Sequence, residues 1–331
     1  MTGLYDDAHV ARLAEALPPL LPLWGLSPDS EIRLLSLSEN ATFRVTDPAR
    51  PAPVVLRVHR PAYHHEAEIA SELAWIEALR AAKVLDTPAP LPLRDGGLIA
   101  RLTLPGETRH VVGFAYMEGR EPDPDAALLP GFERLGAISA RLHRHAMDWP
   151  RPEGFIRKTW DFDAAFGPHP LWGDWRAAPG LDAEGRAVLE RLCETLHTRL
   201  GAYGTGPDRF GLIHADLRLA NLLVAQDRIG VIDFDDCGFS WFLYDFAAAI
   251  SFHETHPLVP ELQAAWLRGY ARVAPLPPEA EEMLPLLILY RRLLLTAWIA
   301  SHAETETARA TGLATYTQGT IALARTHLAA V

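Results

Sequence analysis

Three side chains that could carry out one reaction together lie in the second half of the sequence. His214-Ala-Asp216 is followed by Asn221, and Asp233 comes twelve residues after Asn221 within Val-Ile-Asp-Phe-Asp. Phosphoryl transfer from Mg·ATP needs a carboxylate that orients and deprotonates the attacking hydroxyl. It also needs an amide oxygen and a second carboxylate that hold Mg²⁺ over the phosphates. Asp216, Asn221 and Asp233 fit these roles in turn, so the spacing predicts a kinase that uses ATP and Mg²⁺.

The residues around this group predict how it is held. Residues 210–213 are apolar and lead into the His-x-Asp loop. Residues 222–224 and 230–232 have the character of short strands on either side of a turn at 226–228, and such a hairpin brings Asn221 and Asp233 together. His-x-Asp or Asp-Phe-Asp alone is more often an ordinary turn. The complete set in this order favours catalysis.

At these residues the chain resembles the aminoglycoside phosphotransferase and choline kinase superfamily, whose members are related to protein kinases. That family uses a His-x-Asp-x-x-x-x-Asn loop and an Ile-Asp-Phe metal motif, and both patterns occur here. Residues 135–143 resemble the family's helix before the catalytic region, and Tyr-Asp-Phe-Ala at 244–247 resembles its Asp-Leu-Ala segment. The resemblance extends over most of the chain.

The resemblance implies a role for each matched residue. Asp216 is expected to be the catalytic base, and Asn221 and Asp233 are expected to bind the metal. Asp245 is expected to anchor the loop. The two acids that follow the metal motif, Asp-Asp at 235–236, receive no firm role.

Length and resemblance together predict the architecture. A chain of 331 residues exceeds the size of about 250 to 300 residues at which a single core stops growing, so two lobes are expected. The resemblance implies an α+β, bilobal protein-kinase-like fold with a small antiparallel-sheet N-lobe and a larger, mainly helical C-lobe. We predict a nucleotide-binding lobe over residues 1–113, an interlobe linker over 114–122, and a catalytic and acceptor-binding lobe over 123–331.

Charge and cysteine content narrow the function classes. The net charge of −11 disfavours a nucleic-acid-binding protein, which presents a basic surface, and is compatible with a cationic substrate. Cys193 and Cys237 are too few for a disulfide framework, and the first residues lack the basic and apolar regions of a secretory signal. We expect a cytoplasmic protein without a nucleic-acid partner, and the sequence predicts no oligomeric state.

The most apolar window, residues 284–299, contains Pro285 and the adjacent pair Arg291 and Arg292. A membrane span would place both charges at mid-depth, which costs about 2.5 to 3.5 kcal/mol for each on insertion scales. We therefore predict a core helix and no contact with a membrane.

The N-terminal third shows the strands and the helix of a small lobe. Residues 32–36, 42–46 and 54–58 are rich in β-branched residues and partly alternate, which is typical of antiparallel strands. Residues 66–82 are rich in helix formers and carry apolar residues at i, i+3 and i+4 spacing. We predict a sheet followed by the family's lobe-bridging helix.

A nucleotide-binding ion pair is predicted between the third strand and this helix. In a kinase small lobe, a strand cation holds the phosphates and a helix carboxylate positions it, and Arg57 and Glu72 are the candidates. Many relatives have Lys in this place, and the planar guanidinium of Arg57 suits bidentate phosphate contacts but differs in reach. An exposed strand residue is the alternative for Arg57. Glu68, one turn before Glu72, competes as the partner.

The turn between the first two strands, Ser-Leu-Ser-Glu-Asn at 36–40, contains no glycine. Backbone cradling of phosphates is therefore not predicted there. Ser38, Asn40 or Thr42 could supply hydroxyl or amide contacts, and a plain hairpin turn is an equal alternative.

Residues 113–119 are predicted to cross between the lobes, where backbone groups of a kinase contact adenine. We expect the edge of the nucleotide at Ala115 to Met117, with apolar side chains around the base. The end of a buried strand is the alternative for these residues.

Two aromatic and acidic segments, residues 160–163 and 171–175, are candidates for the acceptor site. Trp faces and carboxylates attract ammonium groups through cation–π and Coulomb interactions. This interpretation depends on Trp172 and Asp174, and packing of the aromatics between the lobes is the alternative.

We predict an ATP- and Mg²⁺-dependent O-phosphotransferase that acts on a hydroxyl of a small, amine-bearing molecule. The resemblance allows aminoglycosides, choline and other amino alcohols, homoserine, and, as in bacterial stress-response relatives, Ser/Thr side chains of proteins. A kinase-like scaffold that binds nucleotide without turnover is a separate alternative, because the glycine-free turn departs from the kinase pattern. The intact set of Asp216, Asn221 and Asp233 argues against a scaffold.

Overall fold

The part of the chain that a computed structural model describes comprises residues 7–37, 40–123, 128–226, 228–303 and 305–330. In this part, a strand-rich N-terminal region is followed by a mainly helical region. The predicted α+β, bilobal arrangement is confirmed. Ser38, a predicted phosphate contact, lies outside the described residues.

The small lobe is built on an antiparallel sheet of six strands. The strands are β1 Glu31–Leu37, β2 Ala41–Thr46, β3 Val54–Val58, β4 Pro90–Leu91, β5 Ile99–Leu104 and β6 Glu107–Ala115. They follow the order β1-β2-β3-β6-β4, and β5 also pairs with β6. Apolar side chains of the sheet pack against helix α1 Asp7–Ala16 and a 3-10 helix, Pro18–Trp24. The first three strands lie where the sequence predicts them.

Helix α2, Glu66–Ala81, joins the small lobe to the core of the large lobe. Its buried apolar stripe consists of Ile69, Leu73, Ile76 and Leu79. Glu68 caps the N-terminus of the helix, because its Oε2 accepts a hydrogen bond of 2.8 Å from the His65 N–H. The predicted lobe-bridging helix is present.

The connection between the lobes is shorter than predicted. Strand β6 extends to Ala115, whose N–H donates to the carbonyl oxygen of Ala89 at 2.8 Å, so two residues of the predicted linker belong to the sheet. At the other end, Arg120 exchanges two backbone hydrogen bonds of 3.0 and 2.8 Å with Val224 of the large lobe. The crossing itself comprises residues 116–119.

The described part of the large lobe contains eight α-helices and two two-stranded ladders. The helices are α3 Leu128–Asp148, α4 Phe162–Phe166, α5 Ala183–Tyr203, α6 Tyr244–Ala249, α7 Val259–Ala271, α8 Ala280–Ser301, α9 Glu306–Ala310 and α10 Leu313–Ala330. The strands are β7 Phe210–Ile213, β8 Leu222–Ala225, β9 Arg228–Val231 and β10 Gly238–Trp241. β7 pairs with β10, and β8 forms the predicted hairpin with β9.

Helices α3 and α7 cross in close contact at two glycines. A Cβ atom on Gly136 would lie 2.0 Å from the carbonyl oxygen of Trp266, and one on Gly269 would lie 1.8 Å from that of Glu133. A backbone carbonyl group cannot move away from a new Cβ atom unless the two helices separate. Both positions therefore need glycine for the observed packing.

Replacing Gly269→Ala should lower the free energy of unfolding by about 2 kcal/mol, because overpacking outweighs the gain of about 1 kcal/mol in helix propensity. Gly201→Ala is the matched control, since it lies in α5 and no atom comes within 4 Å of its new Cβ. The control should raise the free energy of unfolding by about 0.5 to 1 kcal/mol. Chemical denaturation measures both, and a stabilised Gly269→Ala would contradict the close crossing.

Helix α8 is the one described helix that is long and apolar enough to cross a membrane, and 89% of its most apolar window is buried inside the fold. Arg291 and Arg292 on this helix are also buried. Arg291 Nη2 lies 2.6 Å from Asp216 Oδ1, and Arg292 Nη1 lies 2.5 Å from Glu254 Oε2. These carboxylates offset the penalty of burying a cation. The predicted core helix is confirmed, and it also brings a cation to Asp216.

Candidate active site

The His-x-Asp loop leaves β7 in a strained turn that buried side chains hold. Ala215 has a φ of 67°, a left-handed conformation that costs about 1 to 2 kcal/mol for a residue with a side chain. Its N–H donates to Asp245 Oδ1 at 2.8 Å, and Asp245 Oδ2 lies 2.8 Å from His143 Nε2. His214 Nε2 lies 3.1 Å from the carbonyl oxygen of Ile232. Asp245 therefore anchors the loop, as the resemblance implies.

Asp216 presents a fixed carboxylate at the end of this turn, and its side chain is 13% exposed. Oδ1 accepts a hydrogen bond from Arg291 Nη2 at 2.6 Å. Oδ2 accepts from Arg218 Nε at 3.2 Å and from Asn221 Nδ2 at 2.7 Å. Burial opposes ionisation, but Arg218 and Arg291 together outweigh it and lower the pKa of Asp216. An ionised carboxylate in this place can accept a proton from a hydroxyl.

Arg291 is a site residue that sequence reasoning missed. Besides Asp216, its guanidinium donates to Ser251 Oγ at 3.1 Å and to the Tyr244 hydroxyl oxygen at 2.9 Å. These neutral acceptors and the carboxylate hold the group in one orientation. The signal in the sequence was a pair of arginines inside the most apolar helix, because a buried cation needs a buried acceptor.

Asn221 and Asp233 meet at the base of the β8–β9 hairpin, as predicted. The Asn221 carbonyl oxygen accepts from the N–H of Ile232 at 3.0 Å, which ties the residue before Asp233 to Asn221. Asn221 Nδ2 donates to Oδ2 and to the backbone oxygen of Asp216 at 2.7 and 2.8 Å, so Oδ1 is the amide atom directed away from Asp216. Asp233 has a φ of 62° and a side chain that is 39% exposed.

The surroundings of Asp233 disfavour its negative charge. Partial loss of hydration in the cleft and the neighbouring Asp235 carboxylate raise the pKa of Asp233 to about 7, although Arg57 Nη1, 3.7 Å away, favours the ionised form. A divalent cation relieves such repulsion, and amide and carboxylate oxygens are ligands that Mg²⁺ prefers. Asn221 and Asp233 therefore fit a magnesium ion.

Asp235 joins the two lobes. It is buried, with Oδ2 3.4 Å from His64 Nε2 and Oδ1 3.6 Å from His59 Nδ1. Arg57 Nη1 lies 3.8 Å from the same Oδ1. Burial opposes ionisation, but His64 and Arg57 hold the pKa of Asp235 well below its usual range. Its three partners all belong to the small lobe, so this carboxylate fixes the lobes against each other beside the cleft.

Arg57 and Glu72 form the predicted pair. Arg57 Nη2 lies 2.6 Å from Glu72 Oε2, and both side chains are buried, which excludes the exposed alternative for Arg57. Glu68 caps α2 instead, so Glu72 is the partner. The Arg57 guanidinium also lies 5.2 Å from the centre of the Phe114 ring, within the range of a cation–π contact.

A cavity of about 500 Å³ lies between the lobes, a volume typical of sites for small ligands. Its wall includes every predicted nucleotide- and metal-binding residue: Arg57, Glu72, Ala115, Met117, Asn221 and Asp233. Because the Ala115 N–H is bonded within the sheet, Ala115 can offer a ligand only its carbonyl oxygen along this edge.

One of the residues that were predicted to contact phosphate at the turn after β1, Thr42, lines the larger cavity, as does Ser36. Asn40 is buried, and its Oδ1 accepts from the N–H of Arg60 at 3.1 Å, so its amide supports the backbone of the small lobe.

A second, smaller cavity adjoins Asp216 and has a volume of about 30 Å³. It is lined by Trp172, Asp216, Arg218, Asp236, Phe252, Arg291, Leu295, Trp298 and Thr307. Arg218 and Thr307 also line the larger cavity, so the two cavities meet beside Asp216. A hydroxyl in the smaller cavity would face both the carboxylate and the contents of the larger one.

Of the two aromatic segments that were predicted to form the acceptor site, Trp172 reaches this cavity. Trp160 is buried and packs against Trp172, with ring centres 5.0 Å apart. The Asp174 side chain is 54% exposed and accepts from the N–H of Arg176 at the start of a 3-10 helix, Trp175–Ala177. Besides Asp216, the acid on the cavity wall is Asp236, to which the sequence gave no firm role.

Asp236 is placed by a chain of hydrogen bonds from both lobes. The Tyr63 hydroxyl donates to Asp236 Oδ1 at 2.6 Å, and Trp172 Nε1 donates to the Tyr63 oxygen at 3.0 Å. Lys158 Nζ lies 3.4 Å from the centre of the Tyr63 ring. Tyr63 belongs to the small lobe, so the position of Asp236 depends on how the lobes meet.

Comparison with known proteins agrees with this geometry. The model of the phosphotransferase enzyme family matches residues 31–282. The solved structure of a microcompartment-associated aminopropanol kinase superposes with a TM-score of 0.88, is 44% identical, and the match covers 98% of each chain. Amicoumacin kinase of Bacillus subtilis is 22% identical over 302 residues, which are 88% of this chain and 85% of that protein. A homoserine kinase of Allorhizobium ampelinum is 30% identical over 220 residues, 62% of this chain and 61% of that protein.

The family match includes the loop, the hairpin and every residue on the wall of the larger cavity except Thr307. The resemblance that the sequence motifs indicated is confirmed, as is the kinase-like fold. The chain belongs to the phosphotransferase enzyme family and is an ATP-dependent kinase with a hydroxyl acceptor.

Proposed function

We propose that this kinase transfers the γ-phosphoryl group of ATP to the hydroxyl of a short amino alcohol. The observation that carries the proposal is the small, charged cavity beside Asp216. Its volume of about 30 Å³ is small, which suits a compact acceptor better than a multi-ring aminoglycoside or a protein segment. The relative that is 44% identical over nearly the whole chain is an aminopropanol kinase, which supports the same class of acceptor.

The catalytic steps follow from the placement of the side chains. Asp216 accepts the hydroxyl proton as the acceptor oxygen attacks the γ-phosphorus and the bond from that phosphorus to the bridging oxygen breaks, which releases ADP. Arg291 fixes the carboxylate for this task. Asn221 and Asp233 hold Mg²⁺, which when bound neutralises phosphate charge. Arg57, positioned by Glu72, binds the phosphates.

The nucleotide base is bound at the edge of β6. We propose that the Ala115 carbonyl oxygen and the Met117 backbone contact the adenine, because both residues line the larger cavity where the chain crosses between the lobes. The acceptor hydroxyl then approaches from the opposite end of the cavity, past Arg218.

Arg218 stabilises the transferred group. Among the described cations, it is the one on the walls of both cavities, and its Nε lies 3.2 Å from Asp216 Oδ2. A guanidinium between the donor and the acceptor faces the negative charge that spreads over the phosphoryl oxygens in the transition state. It would also suit the carboxylate of homoserine, which makes homoserine the second candidate acceptor.

Asp236 recognises the ammonium group of the acceptor, in place of the predicted Asp174. Its carboxylate lines the cavity together with Trp172 and Trp298, and an ammonium among these groups gains both Coulomb and cation–π attraction. The free cysteines, half-buried Cys193 and buried Cys237, suit the proposed location in a reducing cytoplasm. The proposal includes no nucleic-acid or membrane partner.

The test is phosphate transfer from labelled ATP to ethanolamine, 1-amino-2-propanol, choline, homoserine, kanamycin and a generic protein. We expect 1-amino-2-propanol to have the highest kcat/KM and kanamycin and protein to give no product. A preference for kanamycin or protein would overturn the amino-alcohol proposal, and a preference for homoserine would select the second candidate.

Asp236→Asn should raise the KM for 1-amino-2-propanol by about 30-fold or more, because it leaves a buried ammonium without its counter-ion at a penalty of about 2 kcal/mol or more. The KM for ATP should change little. The matched control is Asp174→Asn, which removes an exposed acid outside the cavity and should leave both values unchanged. 1,2-Propanediol, which lacks the ammonium, should show no difference between wild type and Asp236→Asn. An equal effect on the diol would assign Asp236 a purely structural part.

A further inference from the structure

A second large cleft lies outside the active site, and five of its ten lining residues are cations. Its volume is about 430 Å³, close to that of the larger cavity of the active site. The charged residues on its wall are Arg80, Lys83, Arg134, Arg141, Arg228 and Asp86. Five cations face one acid there, whereas the whole chain has 31 basic and 42 acidic residues. We name this the basic cleft.

The basic cleft is formed by both lobes. Arg80 and Lys83 come from the end of α2 and the turn after it, in the small lobe. Arg134 and Arg141 lie seven residues apart on α3, which places them on one face of that helix, and Arg228 begins β9 in the large lobe. A ligand in this cleft therefore touches the two lobes at the same time.

Two of the guanidinium groups are held by neutral acceptors. Arg80 Nη1 donates to the carbonyl oxygen of Thr87, and Arg141 Nε donates to that of Val84 at 3.2 Å. A carbonyl oxygen fixes the direction of a guanidinium and leaves its full positive charge in place. These arginines are thus oriented before any anion arrives, which reduces the entropy lost on binding.

The acid on the wall does little to neutralise the cleft. Asp86 Oδ2 lies 3.7 Å from Arg228 Nη1, but their side chains are 52% and 76% exposed. Exposed pairs of this kind contribute about 0 to 1 kcal/mol, so water and salt screen most of the attraction. The formal charge of the lining groups is five positive against one negative.

We propose that the basic cleft binds a multiply charged phosphate anion that bridges the two lobes. Arginine forks match phosphate oxygens in geometry, and four of the five cations are arginines. A concave wall of this volume suits a small molecule of about the size of a nucleotide, whereas an acidic protein segment binds an extended surface. The cleft shares none of its lining residues with either active-site cavity.

The experiment uses the full chain and inorganic tripolyphosphate as the probe in isothermal titration calorimetry. The titration is run in metal-free buffer, so that the probe does not chelate metal and the active site lacks the Mg²⁺ that its phosphate positions require. We expect one tripolyphosphate bound per chain. Lys83→Gln in the small lobe and Arg141→Gln in the large lobe should each raise its Kd by about fivefold or more.

Arg144→Gln is the matched control. Arg144 lies on the same helix, is exposed and also donates to a backbone carbonyl, that of Val273 at 3.1 Å, but it does not line the cleft. Its replacement should leave the Kd unchanged. An equal loss in this control would mean an adventitious ion only, and an absence of saturable binding would also overturn the proposal. If only one of the two cleft variants weakened tripolyphosphate binding, the ligand would not bridge the lobes. If a short polyglutamate peptide bound more tightly than tripolyphosphate, the ligand of the cleft would be an acidic protein segment and not a phosphate.

Discussion

Replacing Asp216→Asn should lower kcat by about 10³-fold or more while the Kd for Mg·AMP-PNP stays within about threefold of the wild-type value. Asn keeps the shape of the side chain but cannot accept the proton of the acceptor hydroxyl. Of the metal and phosphate residues, Asn221 shares the loop of Asp216, but Asp233 and Arg57 lie on other elements, so nucleotide binding should survive. Rapid-quench measurement of a single turnover separates the chemical step from product release. Retention of more than a tenth of the wild-type rate would contradict the assignment of Asp216 as the base.

The same substitution should also lower the free energy of unfolding by about 2 to 3 kcal/mol, because it removes the counter-ion of Arg291, which is only 2% exposed. Adding Arg291→Gln to Asp216→Asn removes the uncompensated cation and should restore much of this stability. The double variant should remain inactive. This comparison separates the catalytic part of Asp216 from its structural part, and a double variant less stable than the single one would show that Arg291 stabilises the fold by other contacts.

The local parts of the site are predictable from sequence because they are close along the chain. Asp216 and Asn221 share one loop, and a short hairpin joins Asn221 to Asp233, so spacing and turn chemistry suffice to bring them together. The alternation of apolar residues likewise predicts β1, β2 and β3. In each case the deciding interactions lie within about twenty residues.

The acceptor cavity was not predictable in this way. Asp216 meets Arg291 across 75 residues, and Tyr63 meets Asp236 across 173. The apolar window with its two internal arginines predicts that α8 is a core helix but not which carboxylate Arg291 reaches. Trp172 and Asp174 were both predicted because Trp faces and carboxylates attract ammonium groups, but Asp174 caps a 3-10 helix instead.

In the nucleotide-binding part of the site, prediction from sequence is limited because two residues of the same type could fill one role. Glu68 and Glu72 lie one turn apart, and sequence alone does not separate them. The structure separates them at the N-terminus of α2, where the His65 N–H has no acceptor within the helix and donates to Glu68. Glu72 therefore pairs with Arg57. Similarly, Ala115 belongs to β6 and not to the crossing because Ala89, a residue of another segment, accepts its N–H.

Replacing Asp233→Asn should make the metal-free protein more stable and almost inactive. The pKa of Asp233 is raised to about 7 in the folded protein from 3.8, so its ionisation favours the unfolded chain. The neutral Asp233 side chain makes its full contribution to the free energy of unfolding below pH 3.8. This contribution is lost as the pH rises through about 7. At pH 8, the substitution should therefore raise Tm by about 2 °C, a modest value because the side chain is 39% exposed and solvent screens it. Asn also tolerates the left-handed conformation of this position.

The pH and metal dependence of this variant distinguish a metal ligand from a structural carboxylate. Below pH 3.8 the difference in Tm between Asp233→Asn and wild type should almost vanish, since the wild-type side chain is then largely neutral in the unfolded as well as the folded protein. At pH 8, Mg²⁺ with AMP-PNP should raise the Tm of the wild type and shift that of the variant far less, because binding to the folded state is what stabilises it. Asp29→Asn, which removes one exposed surface acid, is the control for net charge and should respond to Mg²⁺ with AMP-PNP as the wild type does. An Asp233→Asn protein that keeps the full Mg²⁺-dependent shift would place the metal on other residues.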